Sequence, residues 1–166
     1  QGIPGQGTQG IQGTQGIQGG QGDQGEAGAF GGVTFDYTFR TNTDLSSIGF
    51  GEIELNNAAA NIATQMAIHH RDDNFIDISQ YLATIDDSTS PIKGHFRISE
   101  VGTPSNFVLF TISSMTVGGS FNTITCSYVD GSLGSGTFAD STDVVITFAR
   151  TGDQGPPGPA GAQGSQ

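Results

Sequence analysis

Glycine occupies every third position without a break from Gly7 to Gly28. That period is neither of the two that build globular cores, about 3.6 for α-helices and about 2 for strands. A period of three belongs to the collagen triple helix, where every third residue meets the crowded axis and only a hydrogen fits. The residues expected on that axis are Gly7, Gly10, Gly13, Gly16, Gly19, Gly22, Gly25 and Gly28. The stretch GDQGPPGPAGAQG resumes the pattern through Gly152, Gly155, Gly158, Gly161 and Gly164. A flexible glycine-rich linker has no reason to keep frame over the first tract and recover it after an intervening body. Three chains are needed for such a helix, so the repeats predict a homotrimer.

The two tracts differ in what holds them. Proline pre-sets the polyproline-II φ angle; the downstream tract has Pro156, Pro157 and Pro159, the upstream one only Pro4. Upstream, glutamine takes six successive positions before glycine, at Gln9, Gln12, Gln15, Gln18, Gln21 and Gln24. Its amide both donates and accepts, so it can bond neighbouring chains. Such a helix is expected to depend on a folded trimer beside it. At roughly 3 Å per residue, residues 7–30 would reach about 70 Å. The frame slips once, at Gly5-Gln6-Gly7, where one residue separates two glycines.

Between the repeats the composition changes. Residues 1–30 and 152–166 read as collagen-like, and residues 31–151 as a separate body. That body has 13 acidic and 5 basic residues, a net charge of −8, which repels phosphate backbones and argues against nucleic-acid binding. No apolar run reaches the ~18 residues of a membrane span, so no membrane insertion is expected.

VTFDYTFR (33–40) alternates apolar and polar residues as a half-buried strand does. Similar runs follow in FGEIELN, IATQMAIHH, GHFRISEV, NFVLFTISSMTV, FNTITCSYV and DVVITFAR, separated by turn-forming stretches such as RDDN and GGS. SQYLATIDD is the one helix candidate, with Ser79 as its N-cap. The fold class expected is all-β, an antiparallel β-sandwich of jelly-roll type, flanked by triple-helical segments. If both triple helices share one threefold axis, a straight chain path needs the body's termini at opposite poles. The first and last strands would then run the same way, with Val145 or Ile146 facing another chain or the core.

Residues with chemical potential are few. Cys126 shares a face with Ile124 and Tyr128 and reads as a small buried apolar residue. His69 and His70 are adjacent on a strand and point to opposite faces, which disfavours one shared metal. Asp72, Asp73 and Asp77, with Asn74, offer the hard oxygen ligands calcium takes, but without the glycine and late glutamate of an EF-hand loop. A polar turn is the favoured reading, and no metal or other cofactor is expected. Asp86 and Asp87 could pair with Glu52 or Glu54 as acid and base, yet nothing in the sequence brings them together, and the chain is not expected to be an enzyme. Glycan binding favours aromatic platforms. With no Trp and most Phe at core-facing positions, Tyr37, Tyr81 and Tyr128 are the candidates.

A short β-body between GTQGIQG runs and GDQGPPGPAG resembles the collagen-like fibre proteins of tailed bacteriophages, cyanophages in particular. The resemblance implies a trimeric fibre of the virion tail, neck or capsid, extracellular at the virion surface. It further implies contact with other virion proteins and with a glycan or protein of the host cell surface. It brings no catalytic residues. A bacterial collagen-like surface adhesin and a glycan-binding fibre module are the alternatives.

Overall fold

The computed structural model describes residues 32–156. Contacts divide the chain into two units, and the body lies within the one spanning Gln24–Gln154. The axis glycines expected from Gly7 to Gly28 and at Gly158, Gly161 and Gly164 fall outside the described residues, whereas Gly152 and Gly155 fall within them.

The body is all-β. Its strands are β1 (Val33–Arg40), β2 (Glu52–Leu55), β3 (Gln65–His69), β4 (Gly94–Glu100), β5 (Thr103–Val117), β6 (Phe121–Gly131) and β7 (Thr142–Arg150), with an α-helix, α1 (Ser79–Asp86), between β3 and β4 and a short 3-10 helix (Ala60–Ile62) between β2 and β3. Each expected strand run overlaps one of these elements, although β5 begins at Thr103, β6 runs on to Gly131 and β7 begins at Thr142, all outside the expected runs. Their assembly differs from expectation, however. The order β1-β2-β3-β6-β5-β4-β7 closes on itself, making a seven-stranded barrel and not a two-sheet sandwich. Alternation along a strand says only that one face is buried, and sandwiches and barrels both satisfy it. Closure rests on β1 pairing with β7 from Val33↔Phe148 to Phe39↔Thr142, a contact between opposite ends of the body. Bulges in the β5–β6 ladder near Phe110 and Ser113 increase its bend.

Inward side chains fill the barrel: Phe35, Tyr37 and Phe39 from β1, Phe96 and Ile98 from β4, Phe110 and Ile112 from β5, and Val144, Ile146 and Phe148 from β7. Phe96 and Phe110 stack with centroids 5.0 Å apart. Cys126 is buried among them, and burial pushes its thiol up to about 12. Both openings are plugged. Ile78, Leu82 and Ile85 of the α1 segment join the core at one end, where the Tyr81 hydroxyl donates to the Phe148 carbonyl and Arg150 Nε to the Thr84 carbonyl at 2.7 Å. At the other end Phe138 packs on Phe39, and the Ala60 amide donates to the Gly136 carbonyl.

The expected opposite poles are overturned. β1 and β7 are antiparallel, with Val33 opposite Phe148, so the chain comes in and leaves at the same end. The reason is the one parallel pairing, β1 with β2 at Thr38↔Glu52 to Arg40↔Glu54. Seven strictly alternating strands would deliver the last strand to the far end. The crossover 41–51 turns the chain back to the level of Thr38 without forming a strand, which removes one reversal. Ile146 is in the core, and Val145 lies half-buried on the outer face. After β7 the chain stays attached to this end. The Thr151 amide donates to the Lys93 carbonyl, the Thr89 amide to Asp153, and the Gln154 amide to the Thr89 hydroxyl at 3.0 Å.

Candidate functional site

The turn between β3 and α1 lies at the pole that holds both chain ends. The Asp72 side chain is buried, and its Oδ1 accepts from the amides of Asn74 at 3.0 Å and Ile76 at 2.8 Å. The Phe75 amide donates to the Asp72 carbonyl, and the Asp72 amide to the Ile76 carbonyl. These bonds close the turn with Phe75 at φ 64°, in the left-handed region. A bulky residue there is an outlier, since its Cβ crowds the backbone. Phe75 nonetheless stands 70% exposed, and Ile76 is 53% exposed.

Phe50 completes the surface. It precedes β2, with its ring centroid 4.6 Å from Phe75 and 5.1 Å from His69. Its neighbour Gly51 has φ +67°, and a Cβ there would meet the side chain of Asp73. Glycine is therefore needed for the crossover to pass this close to the turn. Asp73 in turn is fastened to β1: its amide donates to the Asp36 carbonyl, and its Oδ2 accepts from the Thr38 hydroxyl at 3.1 Å. Asn74 Nδ2 donates to Asp36 Oδ2 at 2.8 Å. The result is an apolar surface of Phe50, Phe75 and Ile76, held by polar anchors beneath it.

The three aspartates raised as calcium ligands serve different partners. Asp72 closes the turn, Asp73 faces β1, and Asp77 Oδ1 accepts from the Ser79 amide at 2.9 Å and hydroxyl at 2.6 Å. The Ser79 hydrogen bonds hold the Asp77 carboxyl below the usual carboxylate range, while burial pushes that of Asp73 up. Among the described residues, no three His, Cys, Asp or Glu side chains are arranged to hold a metal ion. His69 and His70 also separate: Nδ1 of His69 accepts from the Arg71 amide at 3.1 Å, and Nε2 of His70 meets Asn122 Oδ1 at 2.8 Å. Ser79 is the first helical residue and Ile78 the N-cap position, with no side-chain cap. The expected Ser79 cap, whose hydroxyl would accept from an amide two or three residues further on, is not formed; Asp77 instead accepts from the Ser79 amide.

The suggested acid–base pairs do not form. Asp86 pairs with Lys93 at 3.5 Å, whereas Glu52 pairs with Arg40 at 3.4 Å and accepts from the Gly49 amide. The tyrosines are likewise engaged internally. The hydroxyls of Tyr37, Tyr81 and Tyr128 donate to the carbonyls of His69, Phe148 and Gly131.

No family model matches the chain, and neither a curated protein nor a solved structure does. The site thus stands on its own geometry. Sequence reasoning passed over Phe50, Phe75 and Ile76. The available signal was an aromatic residue inside RDDNFID, where a polar turn leaves no alternating face to bury it. Among the described residues, no helix is long and apolar enough to cross a membrane.

Proposed function

We propose that this chain is a segment of a homotrimeric, collagen-like virion fibre in which the β-barrel gathers three chains between two triple-helical tracts. The single observation that carries the reading is the glycine frame, unbroken from Gly7 to Gly28 and resumed at Gly152 after the body. The work is mechanical. The repeats provide reach, and the barrel keeps the chains in register. Trimerisation multiplies each weak contact with a host cell surface by avidity. Its partners are two further copies of itself, neighbouring virion proteins and a host surface glycan or protein, and its place is the outside of the virion.

Both chain ends leave the barrel at one pole, so in this reading the two tracts depart from the same end of the body and the straight coaxial path does not apply.

Gly16→Ala tests the reading directly, because three added methyl groups must enter an axis that has room for none. Proteolysis of residues 7–30 should become faster than in the parent, while the barrel stays folded. Equal cleavage rates in parent and variant would remove the triple helix from the account.

A further inference from the structure

We propose that the pole carrying both chain ends is the surface on which three copies of this chain meet, with Phe50, Phe75, Ile76, Ile92 and Val117 as the contact residues. The proposal rests on the trimeric reading above and adds to it the surface that joins the barrels.

Exposed apolar side chains are distributed unevenly. Val33 opens β1 at this pole, and Ile92 precedes Lys93, whose carbonyl receives the Thr151 amide. Val117 ends β5, beyond the level at which Ile112 pairs with Gly94, the first residue of β4. Phe75 and Ile76 occupy the turn leading into α1, and Phe50 stacks on Phe75. All are at least 43% exposed. Among the described residues, the remaining large apolar side chains of comparable exposure are Ile62, Val101 and Val129, which lie toward the opposite end. Scattered exposed apolar residues are ordinary, but a cluster on one face marks an interaction surface.

Chain reach selects the occupant. On the trimeric reading above, three chains joined through Gly28 would have only residues 29–32 in which to separate before β1 begins at Val33. An extended chain covers at most about 3.6 Å per residue, which keeps each Val33 within about 18 Å of its Gly28. On the downstream side, Gln154 is still hydrogen-bonded to Thr89, and Gly155 follows at once. Each chain is therefore held to the threefold assembly from both sides of this one pole. Another copy of the same pole is the surface nearest to it. The strained turn has a purpose in this setting: the buried Asp72 carboxylate fixes a conformation that turns Phe75 outward, toward a neighbouring chain.

Thiol alkylation of the full chain tests the proposal, using Phe75→Cys and Val117→Cys with Ile62→Cys as the far-end control. The parent gives the background, because Cys126 is buried. In a trimer of parent-like mass, residues 75 and 117 should react several-fold more slowly than residue 62, and the difference should vanish when the trimer is dissociated. Equal rates at all three positions in an intact trimer would overturn the contact surface and leave the fibre reading standing. A monomeric parent would overturn both. Protection at residue 75 that appeared only on adding bacterial surface polysaccharide would assign the surface to a sugar and also overturn the proposal.

Discussion

Phe148→Ala should bring the barrel close to unfolding. The ring has no exposed surface and stands 6.1 Å from Phe96, 6.1 Å from Tyr81 and 6.4 Å from Phe35. It thus joins the core to the α1 plug, and its backbone lies between β1 and β4 in the closing strand. Truncating a buried phenylalanine costs about 3–5 kcal/mol through lost burial and the cavity left behind. Whole domains hold only about 5–15 kcal/mol. Thermal unfolding should fall by on the order of 10–20 °C, whereas Val129→Ala, at a half-exposed position, should leave it nearly unchanged. A loss at position 148 no larger than at position 129 would mean that β7 does not close the barrel as described.

Glu54→Gln should have the second large effect, and its sign depends on pH. Glu54 lies on the outer face of β2, opposite Arg40 on β1 and Ala67 on β3. It is nevertheless buried, and its Oε1 has no hydrogen-bond partner. Desolvation pushes its carboxyl from 4.5 up to about 7, with Glu52 and Asp44 adding to the rise and Asn42 and Arg40 opposing it. Between those two values the folded chain keeps a proton that the unfolded chain has released. The stability this group contributes is therefore full below about pH 4.5 and is lost as pH rises through 7. At about 1.4 kcal/mol per pH unit the loss is on the order of 3 kcal/mol. Asp73, also pushed up by burial, acts in the same direction. Asp77 and Asp140 are held below the usual range by hydrogen bonds and act in the opposite direction, contributing stability above pH 3.8 that is lost as the pH falls through their lowered values. Melting curves at about pH 5 and about pH 8 should show the parent less stable at the higher value. Glu54→Gln should be the more stable protein at the higher pH and should lose most of that dependence. A variant less stable than the parent at both values would show that the carboxylate is satisfied.

The strands were legible in the sequence because alternation is a local property, and VTFDYTFR coincides with β1. The burial of Cys126 was legible for the same reason; the position of α1 was legible too, although the Ser79 cap that marked it is not formed. Closure into a barrel was not, because it depends on Val33 finding Phe148 across the whole body. The parallel β1–β2 pairing was hidden in TNTDLSSIGFG, which looks like any polar connection. The shared pole of the chain ends follows from that one pairing and was hidden with it. Alternation in EIEL sets Glu54 on the face opposite Ile53 and Leu55, away from the barrel core. Its burial arises on the outside of the barrel, where strand patterning carries no information. Phe75 was missed for a related reason: its exposure is imposed by a buried aspartate three residues earlier, and composition would place a phenylalanine inside.

The central claim is that three of these chains act as one body, and the mass of the full chain in solution tests it most directly. Sedimentation equilibrium at micromolar concentration, paired with circular dichroism, should give three times the 17.1 kDa chain mass together with a polyproline-II signal that melts cooperatively. A species of single-chain mass without that signal would contradict the account.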